Sequence, residues 1–327
     1  MKFFSLNQLP LYTDDFFFRN LNDRKRRDAI VLFNPADALI VSPVFLRSRK
    51  SLNEHIDYIR DNNVKKAIVV AEDISFLKQC PNLEYLMIFP AISADNFDYS
   101  PIYELPNLKW LQCETIYGID EEKACSIDYS LFKNVKRLGI IGGRGHLNVQ
   151  KAETVESLYL DFGFPNSKTL SGFIPTKNLV NLIIRQSPIQ SLEGVEESLR
   201  LRKLELSYDR RLTDISALRN VSNTLKCLEI DTCGKIKDFS VFNELHNLEF
   251  LILKGSNVIR DLSFVKNMPR LKYLHLTMNV ENGDLSLCEQ IPYVRIKNRR
   301  HYSHKNDELP KNYIDPNKAY PFEKEDN

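Results

Sequence analysis

The chain has 327 residues, a formal net charge of +2, 43% hydrophobic and 27% charged residues. That is an ordinary composition for a folded globular protein, and it excludes a disordered or collagen-like chain and a strongly charged nucleic-acid binder. No apolar run approaches the ~20 residues of a membrane span.

Residues 1–50 do not repeat. Ala29–Phe33 and Ala38–Val41 are β-rich runs around the turn sequence Asn34-Pro35-Ala36-Asp37, and they predict a hairpin. The amino terminus lacks a secretory-signal pattern, because Asn7, Gln8, Asp14 and Asp15 interrupt its apolar residues. Arg24–Arg27 is a short basic run between Asp23 and Asp28, which reads as a solvated face. Ser51-Leu-Asn-Glu54 is a capping box, predicting a helix over roughly 52–62. Residues 1–63 are thus expected to form an amino-terminal cap.

From residue 64 one phrase returns: apolar, two residues, apolar, one residue, apolar. Good copies start at Leu83, Leu108, Val135, Val155, Leu179, Leu201, Leu225, Leu248 and Leu271, with weaker ones at Val64 and Ile291. The steps between starts run from 19 to 27 residues, which marks a solenoid of stacked repeats over 64–296. Each phrase should be a short strand with alternate residues pointing inward. A second signature follows it: Asp73-Ile-Ser75, Asp214-Ile-Ser216, Asp238-Phe-Ser240, Asp261-Leu-Ser263 and Asp284-Leu-Ser286. Asp or Ser there can cap a helical turn, and the apolar residue between them should plug the core, followed by Leu218, Phe242, Val265 and Cys288 as a second layer.

These residues resemble a leucine-rich repeat, with Asp209, Cys233, Ser256 and Asn279 where that family usually holds Asn or Cys. The Asp-apolar-Ser return is similar to the internalin and phosphatase-regulator repeat type. The resemblance implies an α/β solenoid: an arc with a parallel β-sheet on its concave face, short helical or 3-10 turns on the convex face, and terminal caps. It implies a bacterial recognition protein rather than an enzyme.

After Ile296 the sequence turns polar. A carboxy-terminal cap is expected to end near Leu309, with a loose tail beyond it inside the 297–327 segment.

Strand alternation names the outward side chains. An early aromatic group contains Tyr85, Met87, Phe89, Trp110 and Tyr159; a late one contains Phe250, Tyr273, His275 and Tyr293. Arg185, Lys203, Glu205, Glu229 and Asp231 form a charged belt between them. Exposed aromatics rimmed by charge have the composition of a protein-binding hot spot. Aromatics also simply suit pleated strands, and caps can fold over them.

No nucleophilic or metal-ligating constellation emerges. Gly142-Gly-Arg-Gly145 lacks a phosphate-loop frame and reads as a tight turn, and His301 and His304 have no evident partner ligands. Cys80, Cys113, Cys125, Cys227, Cys233 and Cys288 show no paired spacing and suit a reducing compartment. The expectation is a cytoplasmic, monomeric, non-catalytic module without cofactor, membrane or nucleic-acid contact. It would bind another protein on its concave face, as an intracellular immunity-type protein or, alternatively, as a regulatory or scaffold subunit of an enzyme such as a phosphatase.

Overall fold

The computed structural model describes residues 38–42, 50–91, 97–114, 126–142 and 144–319, in two compact units, Met1–Leu147 and Asn148–Asn327. The first unit holds five parallel strands of one sheet: β1 (Leu39–Val41), β2 (Lys66–Ala71), β3 (Tyr85–Pro90), β4 (Trp110–Glu114) and β5 (Arg137–Ile141). The second holds seven: β6 (Ser157–Asp161), β7 (Asn181–Arg185), β8 (Lys203–Ser207), β9 (Cys227–Asp231), β10 (Phe250–Lys254), β11 (Tyr273–Leu276) and β12 (Tyr293–Ile296). Equivalent positions of the phrase pair across every junction of the second unit, as in Lys203 with Cys227 and Cys227 with Phe250.

The first, fourth and sixth residues of the phrase point inward. Leu201, Leu204 and Leu206 are inaccessible to solvent, as are Leu248, Leu251 and Leu253. Short return turns close the core on the other side. In all five Asp-apolar-Ser copies the serine N–H donates to the aspartate Oδ1 at 2.8–2.9 Å and opens a 3-10 turn, for example Ser240–Glu244. Asp98-Tyr-Ser100 and Asp128-Tyr-Ser130 make the same bond, two further copies with tyrosine in the middle. Leu218, Phe242, Val265 and Cys288 are buried beneath these turns.

A second link joins repeat to repeat. The asparagine immediately before the phrase donates its side-chain amide to a carbonyl of the preceding turn: Asn82 to Arg60, Asn107 to Pro81, Asn134 to Pro106, Asn178 to Glu153 and Asn247 to Asn223.

Helix α1 (Leu52–Asp61) begins at Ser51 with both arms of the capping box, Glu54 N–H to Ser51 Oγ at 3.3 Å and Ser51 N–H to Glu54 Oε2 at 2.7 Å. Its buried face is His55, Ile56 and Ile59. The run at Leu39–Val41 pairs parallel with β2 as the first strand of the sheet. Its expected hairpin partner at Ala29–Phe33, like the Arg24–Arg27 run and Cys125, lies outside the described residues.

The carboxy-terminal segment departs from the expected loose tail. Tyr293 and Lys311 form an antiparallel bridge, Val294 N–H donates to the Pro310 carbonyl, and Asn312 N–H donates to the Pro292 carbonyl. Lys311 Nζ also donates to the Val294 carbonyl. This segment covers the open edge of the last strand, whose backbone would otherwise invite pairing with another chain.

Candidate functional site

The candidate site is the sheet face opposite the return turns. It carries the third, fifth and seventh residues of each phrase. Alternation places all fourteen predicted residues there, but it does not leave them exposed. Met87, Trp110, Tyr159, Lys203, Phe250 and Tyr273 are buried, and Tyr85, Phe89, Arg185, Glu205, Glu229, Asp231, His275 and Tyr293 are partly buried. This corrects the picture of fully exposed hot spots. Parallel neighbours lie about 4.8 Å apart, so in-register side chains on one face shield each other.

In the first unit the Tyr85 and Trp110 rings lie 6.3 Å apart, with Lys66 Nζ 5.4 Å from the Tyr85 centroid. Tyr159, grouped with these by sequence, belongs to the second unit. There its hydroxyl donates to Asp161, which also accepts from the Phe162 N–H at 2.8 Å. Burial foremost pushes the Asp161 carboxyl up to about 6.

The late group is a stack. Phe250 and Tyr273 centroids are 5.9 Å apart, and Tyr273 and Tyr293 are 4.8 Å apart and nearly parallel. Tyr313 of the carboxy-terminal segment meets both tyrosines edge-on, at 6.3 and 5.2 Å. The chain itself therefore covers part of this group, the outcome in which a cap folds over pleated aromatics. His275 is held to about 4 by burial first and then by Lys254 and Arg295, so it is neutral at pH 7.

The charged belt is internally paired. Lys203 Nζ lies 2.7 Å from Glu205, and Lys254 Nζ lies 2.6 Å from Glu229 and 3.9 Å from Asp231. Burial, then the neighbouring Glu205, raises the Glu229 carboxyl. These pairs fix the side chains in one arrangement before any ligand arrives. Arg185 differs: its guanidinium stacks over the Tyr208 ring at 5.3 Å.

The loops after the strands share a feature hidden from the sequence reading. The residue directly after the strand is left-handed at Gly142, Phe162, Gln186, Tyr208, Thr232 and Gly255, with φ between 51° and 124°. Each non-glycine member of that row stores roughly 1 kcal/mol or more of backbone strain. Gln186, Tyr208 and Thr232 donate their N–H to the next repeat's carbonyl, at 2.9–3.0 Å, which fixes the turn. Just beyond, Asp209 is buried and accepts from the Ser187 N–H at 2.8 Å. Asn257, rather than the expected Ser256, reaches the carbonyls of Cys233 and Ile236 at 3.1 and 2.8 Å. The register shifts by two residues in this loop, since Val258 pairs with Asn279 although Phe250 pairs with Tyr273.

The repeating frame, the in-register parallel strands and the capped return turns coincide. This is a leucine-rich-repeat fold.

No family model matches the chain, and no curated protein does. Solved leucine-rich-repeat structures are similar. An internalin (inlF) from Listeria monocytogenes is 17% identical with a TM-score of 0.49, covering 85% of this chain and 87% of its own. The functional domain of InlJ from the same species is 15% identical with a TM-score of 0.29, covering 69% of this chain and 64% of its own. The plant receptor RGFR1, solved with the peptide hormone RGF2, is 16% identical with a TM-score of 0.37, covering 71% and 47%. The assignment to the leucine-rich-repeat fold rests on the register and the frame.

Among the described residues, no group of three His, Cys, Asp or Glu side chains could hold a metal ion. His301 Nε2 meets the Val280 carbonyl at 2.9 Å, whereas His304 Nε2 meets Glu289 at 2.8 Å, so the two rings serve separate partners. Among the described residues no helix is long and apolar enough to cross a membrane.

Proposed function

We propose that the chain is a non-catalytic module that recognises another protein on the open face of its sheet. The observation that carries this reading is the paired belt of Lys203, Glu205, Glu229, Asp231 and Lys254 on β8 to β10. It is a charged surface whose side chains are already ordered, so binding has little further rotamer entropy to remove. Partly buried His275 and Tyr293 supply apolar contact at another point of the same unit's face. The five described cysteines are buried and unpaired, which supports a reducing compartment; we read the chain as a cytoplasmic monomer of the intracellular immunity type.

Charge reversal on the belt tests this. Glu229→Lys places a second cation beside Lys254, and Glu153→Lys, at an exposed pair with Lys177 away from the belt, is the control. A partner retained from the source organism's lysate by the native chain and by Glu153→Lys, but lost by Glu229→Lys, supports the reading. Equal retention by all three refutes the belt as contact surface.

A further inference from the structure

A second surface of the same unit has different chemistry. Gly163, Arg185, Gln186, Ser187, Pro188, Tyr208, Arg210 and Arg211 line a cleft of about 490 Å³ beside the left-handed turns. Three of these eight residues are arginines, and the lining includes no carboxylate.

Some exposed cations elsewhere in the unit have acidic partners: Lys177 pairs with Glu153, Arg219 with Glu244 and Lys272 with Glu249. Among the described residues Arg210 and Arg211 pair with no acid, although both are exposed. The Arg185 guanidinium lies over the Tyr208 ring, and its Nε is buried without a hydrogen-bond partner. The nearest carboxyl in sequence, Asp209, points into the core, where burial foremost pushes it up to about 8 and keeps it neutral at pH 7. Asp161, in register with Arg185 on the neighbouring strand, acts on that guanidinium, so the uncompensated charge at the cleft is that of Arg210 and Arg211, in a place the backbone pins. Gln186 and Tyr208 are fixed left-handed residues, tied to Ser207 and Asp231 of the next repeat.

We propose that this cleft binds a phosphomonoester, with Arg185, Arg210 and Arg211 as its cationic contacts and Tyr208 and Gln186 as its polar rim. Guanidinium groups suit phosphate because two parallel N–H groups meet two oxygens, and the dianion matches several cations better than a single carboxylate does. The cleft has room for a phosphorylated side chain, and free phosphate offers the same chemistry. This deepens the recognition reading, on which it rests, by stating what the partner presents.

Calorimetric titration of the full chain with inorganic phosphate, phenyl phosphate, a serine-phosphorylated peptide library, the same library unphosphorylated, and a single-stranded oligonucleotide tests it. The expected result is binding of phenyl phosphate and the phosphorylated library, at least tenfold weaker in Arg210→Gln/Arg211→Gln. Arg185→Lys, which keeps the charge and loses the planar fork, should lose several-fold. Tighter binding of inorganic phosphate than of the phosphopeptides would assign the site to the free ion and remove the link to a partner. Equal binding of both libraries, tighter binding of the oligonucleotide, no binding of any probe, or insensitivity to the arginine variants would overturn the proposal. Thermal melts of the variants exclude unfolding as the cause of a loss. Retention of a lysate partner that is sensitive to Glu229→Lys but indifferent to phosphatase treatment would end the phosphate proposal while leaving the recognition reading intact.

Discussion

Asp209→Asn should make the second unit more stable in alkali. Asp209 is inaccessible to solvent; its Oδ1 accepts from the Ser187 N–H at 2.8 Å, and its Oδ2 has no hydrogen-bond partner. Burial first, with Asp161 adding, pushes the carboxyl from 3.8 up to about 8. The native state therefore holds the proton more tightly than the unfolded chain. Stability is lost as pH rises above the unfolded value, and the loss continues to the folded one. Integrated between about pH 5 and about pH 9, the shift corresponds to a loss on the order of 4 kcal/mol. Asparagine keeps an acceptor for Ser187, adds a donor and carries no charge, at a position where the repeat frame commonly holds it. Urea unfolding followed by circular dichroism across this pH range is the assay. The native chain should weaken steadily, and the variant should lose most of that slope and be the more stable at the alkaline end. Parallel curves for the two proteins would refute the reasoning, because the buried charge would then cost nothing.

In acid the sign reverses at the return turns. Serine hydrogen bonds, led by the N–H at Asp214, Asp238 and Asp284 and by the hydroxyl at Asp98 and Asp261, hold these carboxyls below their usual value. Their contribution is present above about pH 4 and lost as pH falls through the depressed values; Asp214→Asn should narrow the gap between melting temperatures at acid and neutral pH, and an unchanged gap would count against it. Gly194 has φ +103°, and a Cβ there would sit 2.4 Å from the Ser171 backbone nitrogen. Gly194→Ala should destabilise by about 3 kcal/mol or prevent soluble accumulation, read by thermal melting. Tyr313→Ala removes edge contacts to Tyr273 and Tyr293 and should cost about 1 kcal/mol. Because burial pushes the Tyr273 hydroxyl up to about 12, the same variant should ionise this tyrosine at lower pH in a spectrophotometric titration.

The inward architecture was legible because alternation fixes which way a side chain points. Leu204, Leu251 and the plug at Phe242 all lie where the phrase predicts. Alternation says nothing about coverage, and so Trp110 and Phe250 were expected in solvent yet are about 1% exposed. Other features were present in the sequence and went unread. Asn82, Asn107, Asn134, Asn178 and Asn247 precede the phrase at a constant offset, and that constancy was the available signal. The left-handed row had only Gly142 and Gly255 to announce it, because Phe162, Gln186, Tyr208 and Thr232 give no compositional hint. The cleft arginines come from different repeats, Arg185 from one and Arg210 and Arg211 from the next, and only the shared register brings them together.

The asparagine links have a kinetic consequence. Each reaches back to the turn before it and no further, as Asn247 does to Asn223. A rung can therefore be released as soon as its one neighbour has gone, and it need not wait for distant parts of the array. Such a stack opens like a zipper from whichever end is left unpinned. Amide hydrogen exchange should report this as a gradient, fastest at the terminal rungs and slowest among the middle repeats, in place of one common rate.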